Sequence, residues 1–169
     1  VRDTFAQVLT SLRWSSHEVR VVAGGTPASL FARLVSAFGL VLVPRELPSD
    51  LTTRGAVIDV HVPRDGRTRL VVVRKENSGR SDSINVGINV AIEQLVVFID
   101  AYSILEPDAL IAVTRPFADD PTRVVATGGV IRAINGCKVV GARLVEVRLA
   151  KAWIVRIQVV EYLRAFLLG

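Results

Sequence analysis

Cysteine is almost missing from this chain. Cys137 is the only one, and the only histidines are His17 and His61. A single thiol cannot form an internal disulfide, and no Cys or His stands near another at metal-ligand spacing. A disulfide scaffold and a zinc site are therefore excluded, and a reducing interior is the expected setting. Methionine is absent and aromatics make up 6 % of the residues. With so few rings to stack on bases and the charges scattered, nucleic acid is not an expected partner. No run of about 18 uncharged apolar residues occurs, so no segment reads as membrane-spanning, and no secretory leader is recognisable.

What is present is apolar and basic. Half of the 169 residues are hydrophobic and the formal net charge is +5, carried mainly by arginine. The mean hydropathy of +0.42 is high for a soluble domain. It predicts strands buried on both faces, or a surface that needs a lipid or protein partner. The length suits one domain, residues 1–169. The first residue is Val1 and the last run is "AFLLG"; both ends read as cut, so a longer parent chain is expected.

Periodicity gives a sequence of elements. "DTFAQVLTSLRW" has Phe5, Val8, Leu9 and Leu12 at helical spacing with Asp3 as N-cap. "HEVRVVAGG" reads as a strand ending in the Gly24–Gly25 turn. "TPASLFARLVSAFG" reads as a helix with Thr26 as N-cap, Pro27 at its first position and Gly39 as its stop. "LVLVPRELP" is a second strand, and residues 45–67, rich in Pro, Arg, Thr and Asp, read mainly as loop. Leu70–Arg74 is a strand. "SGRSDSINVGINVAI" starts as loop and continues as helix. "EQLVVFIDA" reads as the clearest buried strand, ending at Asp100. "EPDALIAVTRPF" is a helix with Pro107 in its first turn, Asp108 at the positive end of its dipole and Pro116 marking its end.

The last third changes character. Asn135–Gly136 lies between two alternating apolar runs and predicts a two-residue hairpin turn. "RLVEVRL" adds a strand, and "KAWIVRIQVVEYLRAFLLG" a helix. Its stripe, Trp153, Ile157, Val160, Leu163 or Arg164, and Leu167, is expected to pack on the core, with a membrane interface as the alternative. Strand–helix alternation predicts an α/β fold with a parallel sheet. Ligands bind beyond the carboxyl ends of such strands. Gly24–Gly25, Lys75–Glu76–Asn77 and Asp100 each follow a strand and are expected at one edge.

The stretch from "VVVRKENSGRSDSINVGINVAI" through "FIDAYSILEPDAL" to "VVATGGVIRAINGC" resembles the bacterial family 2 glycosyltransferases, in particular the membrane-bound, polysaccharide-synthase-like branch. The resemblance covers most of the chain and is densest from Leu70 to Leu168. It implies a GT-A fold: a Rossmann-like α/β domain with a mostly parallel sheet, helices on both faces, and here a C-terminal β-hairpin and helix. It implies transfer of a sugar from a nucleotide-sugar donor, such as a UDP-sugar, to a glycan acceptor at the cytoplasmic face of a bacterial membrane. Lys75, Asn77, Gly79, Arg80 and Asn85 would lie against the donor. Asp100 would be the first acid of the family's Asp-x-Asp motif, which holds the nucleotide and a divalent metal, magnesium or manganese.

Three departures accompany the resemblance. Tyr102 stands where the second acid, the usual metal ligand, belongs. Gly24 stands where an Asp binds the nucleotide base. The family's catalytic base and acceptor-site motif are expected after Gly169. The alternative is a non-catalytic nucleotide-binding remnant or a structural module. Glu106 and Asp108 suit a helix start and Asp119–Asp120 a solvated connector, while Gly128–Gly129 is either a substrate-facing backbone or a β-bulge.

Overall fold

The computed structural model describes residues 17–44, 46–66, 69–140 and 143–168. The helix expected over "DTFAQVLTSLRW" lies outside them. The chain divides into two compact units that meet in sequence at Ile99–Asp100.

The first unit is built on one sheet. Strand β1 (Val19–Gly24) leads to helix α1 (Ala28–Phe38), then β2 (Leu40–Val43), β3 (Val57–Pro63), β4 (Leu70–Lys75) and helix α2 (Arg80–Asn89). The spatial order is β1-β4-β3-β2. β1 runs parallel to β4, with Val22 opposite Val73 and Gly24 opposite Lys75. β3 is antiparallel to both β4 and β2. The expected mostly parallel, Rossmann-like sheet with helices on both faces is therefore wrong. The sheet is mixed, with one parallel pair. The cause is β3, which occupies the stretch read as loop. Its Ile58, Val60 and Val62 alternate with Asp59 and His61, a strand pattern in a segment otherwise rich in turn residues.

Burial explains why β4 is central. Its pattern is buried at Leu70, Val71, Val72, Val73 and Lys75, and Val73 is fully inaccessible. β-Branched side chains fill a pleated surface that is covered on both sides. Val86 and Val90, at the end of α2, pack with Val60, Val71 and Val73. The alternate residues of the same strands meet α1: Phe31 lies edge-on to His61 at 5.1 Å between ring centres, with the Arg74 guanidinium 4.9 Å from its ring centre. Arg74 also pairs with Asp59, which lies 3.3 Å from His61 Nδ1. Helix α1 ends as expected at Gly39, in the left-handed conformation at φ 56°, but begins one residue later than Thr26 predicts, with Pro27 as its N-cap residue.

The second unit holds helix α3 (Ala109–Asp119), the antiparallel pair β5 (Lys138–Val140) and β6 (Arg143–Glu146), and helix α4 (Trp153–Leu168). Asn135–Gly136 does turn, with Cys137 N–H donating to the Ile134 carbonyl and Gly136 at φ 89°. It is not the hairpin loop, however. The strands that pair are β5 and β6, both C-terminal to it. Gly128–Gly129 lies in irregular chain and in no strand, so neither residue forms a β-bulge. Helix α3 runs past Pro116, which sits in its last turns. Trp153, Ile157, Val160 and Leu163 of α4 are exposed, so the expected packing of that stripe on a core is not what the fold shows.

The largest discrepancy is the run Leu95–Ile99. It was expected to be the best-buried strand. It pairs with nothing among the described residues, and each of its five side chains is exposed. An apolar run becomes a strand only where a ladder partner accepts its backbone groups. Among the described residues, no helix is long and apolar enough to cross a membrane.

Candidate functional site

The C-terminal end of β4 is where the first unit concentrates its polar chemistry. β4 must end by burying Lys75, because the strand's alternation aims that position inward. The Lys75 side chain is 0 % exposed. A buried ammonium is tolerated only when paired and hydrogen-bonded. Lys75 Nζ meets three acceptors: Asp82 Oδ2 at 2.7 Å, the Glu76 carbonyl at 2.8 Å, and Ser78 Oγ. Ser78 in turn donates to Asp82 Oδ2. An ammonium has three protons, so its capacity is met.

Asp82 binds a second element as well. The segment Leu51–Ala56, between β2 and β3, crosses over the α2 face formed by Asp82, Asn85 and Asn89. Asp82 accepts from the Arg54 N–H at 2.6 Å and the Gly55 N–H at 3.2 Å. Asn85 Nδ2 donates to the Thr52 carbonyl at 3.0 Å. Asn89 both accepts from the Leu51 N–H at 2.9 Å and donates to the Leu51 carbonyl at 2.8 Å. Spacings of three and four residues put these three side chains on one stripe of α2. That stripe is polar, and it grips the segment by its backbone, not by its side chains. Hydrogen bonds from Lys75, Ser78, Arg54 and Gly55, in that order of weight, hold the Asp82 carboxyl well below the usual carboxylate range against the opposing effect of burial.

Glycine is required where the segment passes over Lys75. A Cβ on Gly55 would collide with Ser78 Oγ and lie 2.8 Å from Lys75 Nζ and 2.9 Å from the Glu76 carbonyl. The same holds for the turn after β1. Gly25 has φ 67°, donates its N–H to the Lys75 carbonyl at 3.2 Å, and would place a Cβ 2.7 Å from the Asn77 Cβ. A Cβ on Gly24 would come within 3.1 Å of Ser83 Oγ. The glycine turn, Asn77 and the first turn of α2 therefore share one edge, as expected of residues that follow parallel neighbours. Asn77, Gly79 and Arg80 are exposed on this edge. Gly79 is the α2 N-cap residue at φ 94° and donates its N–H to Asn77 Oδ1 at 3.4 Å.

The residues expected against a donor thus separate into two groups. Asn77, Gly79 and Arg80 line an accessible rim. Lys75 is buried and Asn85 half-buried beneath residues 51–56, and both hold the fold together. Asp82 and Asn89, which complete that inner network, escaped the sequence reading. The signal that could have found them is the 82–85–89 spacing of hydrogen-bonding side chains on a helix otherwise backed by valine.

Asp100 belongs to the second unit. It opens an irregular turn and does not close a strand. Its Oδ2 accepts a hydrogen bond from the Tyr102 hydroxyl at 3.0 Å, while Tyr102 itself is 79 % exposed. Magnesium or manganese takes several hard oxygen ligands, carboxylates above all. Among the described residues, no group of three or more His, Cys, Asp or Glu side chains is gathered that could hold a metal. One carboxylate hydrogen-bonded to a neutral phenol does not fit the divalent cation that the resemblance implies. Glu106, also read as a helix-start acid, pairs with Arg132 at 3.3 Å on the surface. Asp108 is the α3 N-cap residue.

No protein-family model, no curated protein and no solved structure matches this chain.

Proposed function

We propose that the chain is a glycosyltransferase-type domain whose first unit binds the diphosphate of a nucleotide-sugar donor at the rim formed by Gly24–Gly25, Asn77, Gly79 and Arg80. The observation that carries the reading is the convergence of that glycine turn with the start of α2, where Gly25 has no room for a side chain beside Asn77. Backbone without side chains lets a phosphate approach closely. The first turn of α2 directs N–H groups toward the same edge. Arg80 offers a guanidinium fork suited to phosphate oxygens. The motif run from Lys75 to Asn85 supports the same class.

In this reading a UDP-sugar is the donor and a glycan the acceptor, at the cytoplasmic face of a membrane. Asn77 and Arg80 bind and orient the donor diphosphate. Lys75 acts from behind, holding Asp82 in the first turn of α2, and Asn85 holds the segment that covers it. No metal is assigned, and no residue of this chain is assigned as the base that deprotonates the acceptor hydroxyl. A second reading, a nucleotide-binding domain without catalysis, is favoured by one observation: the Tyr102 hydroxyl bonded to Asp100 where a second acid would hold a cation.

Calorimetric titration with UDP, with and without manganese, tests the proposal. Binding that is equal with and without metal, and that weakens in Arg80→Ala, is the expected result. Absence of binding to the folded chain overturns it. Tyr102→Asp separates the two readings: manganese-dependent tightening in that variant supports the enzyme lineage, and unchanged binding supports the remnant.

A further inference from the structure

The segment that covers Lys75 is held in an unusual way. Leu51–Ala56 contributes no large side chain to the core. Leu51 and Thr53 are half-buried, Thr52, Arg54 and Ala56 are exposed, and Gly55, the buried position, has no side chain. Its attachment is polar: its Leu51, Arg54 and Gly55 N–H groups donate to Asn89 and Asp82, its Leu51 and Thr52 carbonyls accept from Asn89 and Asn85, and the Glu76 N–H donates to the Ala56 carbonyl at 2.9 Å. The apolar anchor nearby is Leu47, which packs on the valine cluster before the segment; after it, Val57 enters β3 opposite Lys75 with its side chain exposed. Such a segment costs few buried contacts to lift, so it opens at lower free energy than the strands beneath it.

Lifting it would change the chemistry of the rim. The Lys75 stem passes beside the glycine turn, since a Cβ on Gly24 would lie 3.9 Å from its Cγ. Only the ammonium is turned away, toward Ser78, Asp82 and the Glu76 carbonyl, under Gly55. With the segment in place, Lys75 is satisfied and sealed.

We propose that residues 51–56 form a strap that opens as a unit, and that opening releases Lys75 from Asp82 toward an anion bound at the rim. The second half of this statement rests on the donor reading above; the first half does not. The strap is then a reversible cover that keeps a cation out of the site until an anion competes with Asp82 for it.

Native-state hydrogen exchange on the whole chain tests the strap alone. The Leu51, Arg54 and Gly55 amides are expected to exchange together, at least about tenfold faster than the β4 amide of Val73. Asn89→Ala, which removes two strap hydrogen bonds and leaves Lys75 paired, is expected to speed all three by roughly tenfold without changing Val73. Strap amides that exchange only at the rate of Val73 overturn the proposal, whatever binds the rim. The same experiment is then repeated with pyrophosphate and with UDP. Faster strap exchange on binding supports anion-coupled release. Binding that leaves strap exchange unchanged or slows it overturns that coupling. If neither compound binds, the donor reading fails, and the unliganded rates still decide whether the strap opens.

Discussion

Lys75 and Arg80 are both cations in one short motif, yet the fold gives them opposite roles. Lys75 ends a strand whose alternation points it inward, and Asp82 makes that burial tolerable. Arg80 begins a helix at the surface. Neutralising Asp82 should show the difference. Its folded-state carboxyl is held well below the ordinary carboxylate value of about 4. The stability it confers is therefore full above that ordinary value and is lost as pH falls through the lower, folded-state value. Thermal melts are expected to drop between pH 4 and more acid conditions in the native chain, and less steeply in Asp82→Asn, which starts less stable at neutral pH. Equal slopes in both would disconnect Asp82 from acid stability. Gly55→Ala is a second test at this scale. A Cβ there meets the Glu76 backbone as well as two side chains, and backbone cannot swing away. A lower melting temperature, with faster exchange at Arg54, is expected.

At the scale of elements, much of the chain was legible where apolar spacing and punctuation agree. β1, α1, β2 and β4 are close to where periodicity puts them, because each has a clear boundary such as Gly24–Gly25 or Gly39. β3 was missed because Pro63, Arg64 and Asp65 surround it with turn chemistry and because Asp59 and His61 interrupt its valines. Asp59 pairs with Arg74, and His61 lies beside Asp59 and edge-on to Phe31, neighbours that only the fold brings near. Missing β3 also made the sheet look parallel. Leu95–Ile99 shows the reverse error: hydrophobicity without a ladder. For the candidate site, the rim residues Asn77, Gly79 and Arg80 were readable from the motif. That Lys75 and Asn85 are tied up within the fold was not, since Asp82, which pairs with Lys75, and Asn85 both bind a segment about thirty residues earlier than themselves in the chain. Val73→Ala tests where the stability of the first unit lies. Deleting two methyl groups at a fully inaccessible position should cost about 2 kcal/mol in chemical denaturation. A loss below about 0.5 kcal/mol, the scale of ordinary surface substitutions, would place the core elsewhere.

For the molecule as a whole, burial is uneven. Apart from Ala150, every buried hydrophobic residue among those described lies in the first unit. The second unit exposes Trp153, Ile154, Ile157 and Val160 along α4 and Leu144 and Val145 along β6. Local stability follows buried contacts. Brief trypsin treatment is accordingly expected to cut at Arg143, Arg148, Lys151 or Arg156 before Arg74 or Lys75. Initial cleavage at β4 would contradict that ranking.

In the proposed function a nucleotide diphosphate binds at the edge where β1, β4 and α2 meet. Amide NMR during titration with UDP tests it most directly. Shifts concentrated at Gly24, Gly25, Asn77, Gly79 and Arg80, and reduced in Arg80→Ala, are expected. Shifts confined to other parts of the chain, or none at all from a folded sample, would contradict it.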